Sequence, residues 1–139
     1  LEFRRVLFRS DHIQVHRVGS RAAAITGVRL LEATMNRDAM RRFSEQARAA
    51  GAEEGGFDPD GPADDGNPMG TLEVDITMSV DVSEFVLRKR ESIRCHASQI
   101  TDSGFFSQMP DDVFAMVFGT EHFIDPLRGG PVQPGWLFD

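Results

Sequence analysis

Cysteine is almost missing from this 139-residue chain. Cys95 stands alone, so no internal disulfide can form, and a thiolate zinc site would need partners the sequence does not supply. Its place in a helix-like run, with no nucleophile motif nearby, fits a buried structural thiol. Positive charge is scarce too. The chain has 15 Lys and Arg against 22 Asp and Glu, a formal net charge of −7, and residues 1–10 hold a surplus of +2, which leaves −9 for the rest. An acidic body argues against a nucleic-acid surface, because phosphate binding needs clustered Lys and Arg. The densest basic run, Arg88-Lys89-Arg90, is flanked by Glu84 and Glu91 and reads as a solvated helix face. No apolar run approaches the roughly 20 residues that cross a bilayer. The leading decapeptide lacks the apolar middle and small-residue cleavage site of a signal peptide, so a cytoplasmic protein is the expectation. There is no internal repeat.

What remains is ordinary globular material, 40% hydrophobic and 27% charged, in a length that allows one domain with its own core. Over residues 12–26, Ile13, Val15, Val18, Ala22 and Ile25 recur at mostly helical spacing, and Gly27 is placed as a C-cap. A short apolar run, residues 28–34, reads as a buried strand. "NRDAMRRFSEQARAAG" reads as a second helix, with Asp38 as N-cap, Met40, Phe43 and Ala47 on one face, and Gly51 at its end. Helix, strand, helix is the rhythm of an α/β sheet with crossover connections.

Residues 51–70 break that rhythm. Gly, Pro and acids dominate, and such a segment buries too little apolar surface to order cheaply, so it reads as a mobile surface loop. A calcium loop is disfavoured: twelfth in order from Asp58 is Met69, where an EF-hand needs a bidentate Glu, and Pro59 and Pro62 stiffen the turn. "TLEVDITMSVDV", residues 71–82, alternates apolar and polar side chains as a strand with one wet face. Ser83 can cap a helix running to about Ile100, with Val86, Ile93, Ala97 and Ile100 as its stripe. Pro110 suits the first turn of a short helix. The Gly- and Pro-broken tail should dock through Trp136, Leu137 and Phe138.

The first ten residues resemble no protein. Translated in one frame, the sequencing adapter GAGTTCAGACGTGTGCTCTTCCGATCT gives EFRRVLFRS, identical to residues 2–10. That match implies a translated artefact to be set aside in fold reasoning, with native sequence starting in mid-protein near Asp11.

From Asp11 onward several blocks occur in order: "DHIQVHRVGSRAA", "LLEATMNRD", "VSEFVLRKRESIRCHASQI", "GFF…MPDDVFAMVFGTEHFI" and a closing "LF". Together they resemble the C-terminal part of the PIG-L/LmbE deacetylases, nearest in flavour to the actinobacterial group with the mycothiol-pathway enzymes. The resemblance covers nearly all of residues 11–139. It implies an α/β fold, the C-terminal part of a Rossmann-like LmbE-type sheet with flanking helices and its N-terminal strands missing. Such a piece would leave a sheet edge and apolar surface exposed.

The family holds zinc with two His and one Asp. An early Ala-His-Pro-Asp-Asp motif gives one His, one Asp and the general base, and a later His-Pro-Asp-His motif gives the last His. Here Asp11-His12 matches the end of that later motif, with Arg9 and Ser10 standing where His and Pro would be. By the resemblance His12 is a zinc ligand at a helix start, and Asp11 is a catalytic-site carboxylate that orients an imidazole. From residue type alone, Asp11 as N-cap and His12 as an exposed first-turn residue is the competing account. His16, one turn on, lacks the zincin Glu, since Ile13 follows His12; it reads as packing or polar support.

His96 and Gln99 resemble the family segment that lines the substrate pocket, and a Gln amide can both donate to and accept from sugar hydroxyls. Two polar residues on one helix face are equally commonplace. Asn36 and Arg37 fit capping and salt bridging, and His122 has no supporting context. The implied reaction of the intact enzyme is zinc-assisted hydrolysis of an amide on an N-acetylated amino sugar or a glucosamine-containing thiol conjugate. The piece alone is expected to be inactive. The alternative is a non-catalytic α/β module that binds a sugar or a protein partner.

Overall fold

A computed structural model describes residues 2–51, 58–62, 66–95, 109–127 and 133–135. It shows a mixed α/β arrangement: α1 (Glu2–Thr26), β1 (Glu32–Thr34), α2 (Arg37–Ala49), β2 (Met78–Asp81), α3 (Val86–Cys95), α4 (Asp111–Phe118), β3 (Thr120–Ile124) and β4 (Gln133–Pro134). Single 3₁₀ turns occupy Glu73–Asp75 and Ser83–Phe85. The four strands lie in the order β1-β3-β2-β4. β3 pairs antiparallel with β1 and with β2, and β4 runs parallel to β2. The sheet is therefore mixed, and its centre is antiparallel rather than the parallel crossover that the helix–strand rhythm suggested.

Two apolar clusters hold it. Met78, Val80 and Phe123 form one on the sheet, with Leu31 and Val82 packed against them. Val86, Met109 and Phe114 form the other between α3 and α4. Phe114, Ile76 and Val80 are the most completely buried large side chains.

The expected strand over 71–82 is shortened to Met78–Asp81. Its alternation holds from Ile76 onward, but Val74 is exposed and Glu73–Asp75 coils into a 3₁₀ turn. The cause is a long-range cap. The Glu73 amide donates to the Asp38 carboxylate at 2.8 Å, and the Glu73 carboxylate takes Arg42 at 2.9 Å, so this stretch is bonded to α2 instead of extending the sheet. Asp38 thus caps that turn rather than α2. The cap of α2 is Asn36, whose side-chain oxygen accepts from the Ala39 amide at 2.9 Å. Likewise Ser83 is not the cap expected of it: its side chain first, and then its amide, hydrogen-bond the Asp81 carboxylate and hold that carboxyl below its ordinary value. The helix that follows is described only to Cys95, and the Trp136–Phe138 anchor lies outside the described residues.

The acidic segment is tied down where it is described. Arg37 donates to the carbonyls of Met69 (3.1 Å) and Gly70 (2.6 Å), and Arg41 pairs with both Asp38 and Asp60. Gly70 has φ +72°, and a Cβ there would stand 2.5 Å from the Met35 carbonyl oxygen, so only glycine permits the bridge of Asn36 with Thr71.

Arg88-Lys89-Arg90 is not a uniformly solvated face. Arg90 is 7% exposed; its guanidinium reaches the Asp111 carboxylate and the Met109 carbonyl and lies 5.1 Å over the Phe114 ring. Lys89 pairs with Glu121 at 2.9 Å and donates to the Phe118 carbonyl. The charges find partners roughly 20 to 30 residues on, which the local run could not disclose. Cys95, expected to be buried, is exposed. Arg90→Ala should lower unfolding free energy by about 2–3 kcal/mol, since it removes packing and strips the Met109 carbonyl of its donor. Urea denaturation should read this as a lower midpoint with an unchanged slope.

Candidate functional site

Asp11 and His12 sit within α1, which runs unbroken through the seam after Ser10. His12 is therefore in the body of a helix and not at its start, and Asp11 is not a helix N-cap. Their side chains lie outside the described residues, as do His96 and Gln99 entirely.

What the structure brings together starts one turn further along α1. His16 Nδ1 stands 3.7 Å from Glu32 Oε1, and the Ser20 hydroxyl donates to the same oxygen at 3.3 Å. This is the polar support expected of His16. Glu32 begins β1, and the pleat sends every second residue to the same face. Thr34 is opposite His122 on β3, which is opposite Ser79 on β2, so three strands present Thr34, His122 and Ser79 in one row. Thr34 shares a 2.7 Å hydrogen bond with Thr71, and Ser79 one of 2.8 Å with His122 Nδ1.

Sequence reasoning gave His122 no context because its partners are cross-strand. On β3 His122 directly precedes the buried Phe123. Burial holds the His122 imidazole below its ordinary value; Glu73 opposes this and Lys89 adds to it. A neutral ring is therefore the native form at pH 7, able to accept from or donate to the Ser79 hydroxyl.

The opposite end of β3 closes on α1's connection to β1. Arg29 Nε donates to Asp125 Oδ2 at 3.1 Å, and Asp125 is 4% exposed. Of Asn36 and Arg37, read as capping and salt-bridging, Asn36 does cap α2, while Arg37 spends its donors on the loop carbonyls of Met69 and Gly70.

The family's metal can be tested against these groups. Among the described residues no three His, Cys, Asp or Glu side chains gather closely enough to hold an ion. The side chains of Asp11 and His12, which the resemblance assigns to the zinc site, lie outside those residues. Among the described helices none is long and apolar enough to cross a membrane.

Comparison with known sequences defines a class first: the chain is similar to bacterial sugar deacetylases. The matching proteins are 1D-myo-inositol 2-acetamido-2-deoxy-alpha-D-glucopyranoside deacetylases. That of a Nocardioides species is 33% identical over 129 residues, covering 81% of this chain and 42% of the relative. That of Acidothermus cellulolyticus is 34% identical over 138 residues, covering 90% and 43%. That of Kribbella flavida is 29% identical over 143 residues, covering 90% and 45%. The chain spans less than half the length of these relatives. No family model and no solved structure matches it.

His122 generates a pH prediction. Its folded pKa lies below the unfolded value, so the unfolded chain binds more protons and stability falls as pH drops from above about 6.5 through the folded pKa. Thermal unfolding followed between pH 7.5 and 5 should show this loss, and His122→Gln should flatten it. The lowered carboxyls of Asp38, Asp60 and Asp81 act in the window below about 4 and do not confound it.

Proposed function

We propose that this chain is the C-terminal portion of an N-deacetylase that hydrolyses the acetamide of an N-acetylglucosamine conjugate. The single observation carrying this is the 33% identity over 129 residues to a deacetylase of an acetamido-sugar inositol, shared by relatives in two other genera. In the reaction water adds to the acetyl carbonyl, the C–N bond breaks, acetate leaves and the sugar amine is freed. His12 contributes one imidazole to the zinc site of the intact enzyme, and Asp11 orients a neighbouring ring. His96 and Gln99 contact the sugar. A glucosamine-containing thiol conjugate is a substrate of the same chemistry. Residues 2–10 are adapter translation and take no part.

On this reading the chain by itself is inactive, because one imidazole and one carboxylate do not assemble a hydrolytic centre. Purified chain, incubated with the acetamido-sugar inositol, should release amine at least about 10⁴-fold more slowly than the Nocardioides relative. It should also hold much less than one zinc per chain by elemental analysis. Turnover comparable with the relative would refute inactivity. Sequencing the genomic locus should find His-Pro directly ahead of Asp11; a locus that encodes residues 2–10 natively would sink the assignment of Asp11 and His12.

A further inference from the structure

α1 is turned the wrong way round for a helix that ends its packing here. At 100° per residue, Val15, Val18, Ala22 and Ile25 fall in one sector about 80° wide, while His16, Gly19, Ser20 and Ala23 fall in another. The second sector is the one that meets the body: Gly19, Ser20 and Ala23 are half-buried, and His16 and Ser20 reach Glu32. The apolar sector faces out. Val15 is 71% exposed, Val18 67% and Ile25 69%. Small and polar groups thus lie inside and the β-branched ridge outside, the reverse of a surface helix in a finished fold. Apolar ridges of this kind, rimmed by polar residues, mark interfaces. Here the rim is cationic, because Arg17 and Arg21 run along one flank and both are exposed.

We propose that this ridge is the seat, on this chain, of the polypeptide that the related deacetylases carry outside the matched segment. The inference rests on the reading of the chain as a portion of such an enzyme. Each of these relatives holds more than half its length outside the match, whereas the match takes in 81–90% of this chain. A second copy is the poorer occupant. Two α1 helices packed antiparallel about a twofold axis would set their Arg17–Arg21 rows side by side, and like charges oppose that pairing. The occupant that fits offers an apolar face with an acidic rim beside Arg17 and Arg21.

The test is co-expression of the full chain with the unmatched segment of the Nocardioides relative. A 1:1 complex is expected, with α1 amides exchanging at least tenfold more slowly than in the chain alone. Val15→Glu with Val18→Glu should cut recovery of the complex at least tenfold, while the helical circular dichroism of the chain stays unchanged because both positions face solvent. Arg17→Glu with Arg21→Glu should weaken it too, and added salt should then matter less. Absence of a complex, a complex indifferent to these variants, or self-association of the chain alone that Val15→Glu abolishes would each overturn the proposal. Association is read separately from amine release: an inert complex keeps this seat and sinks the deacetylase, and an active complex unaffected by the ridge variants does the reverse.

Discussion

The backbone ladder of β3 is the constraint on which the rest of the described structure depends. Five residues, Thr120–Ile124, hydrogen-bond on one side to β1 and on the other to β2. Those neighbours come from positions some 90 and some 40 residues earlier, so the ladder closes two long loops of the described chain. Everything else hangs on that closure. Phe123 completes the cluster with Met78 and Val80, Asp125 receives Arg29, and His122 meets Ser79. The Val82 amide donates to the Gly119 carbonyl at 2.8 Å, which fixes where α4 hands over to the strand.

Much of this was legible from periodicity. The ends of α1 and α2 at Gly27 and Gly51 follow from the left-handed backbone that glycine tolerates, with φ of +71° and +86°. Pro110 does stand at the head of α4. What failed were features that one segment imposes on a distant one. Asp38 leaves its own helix to cap the turn at Glu73, and Arg90 is buried because Met109 and Asp111 come to meet it. Neither partner is visible in a window of ten or fifteen residues.

The site was legible in a different way. Asp11, His12, His96 and Gln99 were chosen because ordered blocks resemble a family, and the curated relatives support the class of chemistry. Nothing local marked the row of Thr34, His122 and Ser79, since each residue type is commonplace on a wet strand face. Only the register makes them neighbours. Cys95 shows the converse. A helix-like setting suggested burial, yet the thiol lies on the exposed side of a helix whose inner face belongs to Val86 and Arg90.

The attachment of α1 has a mechanical consequence. Its 25 residues make a rod about 37 Å long. The rod leaves the body at Gly27, and two residues later Arg29 is clamped to Asp125. Beyond that pivot, among the described residues, His16 and Ser20 steady it against Glu32. The backbone at His12 stands about 22 Å from the pivot, so a rotation of about 10° there carries it about 4 Å, and a small change at the Arg29–Asp125 clamp is magnified along the helix.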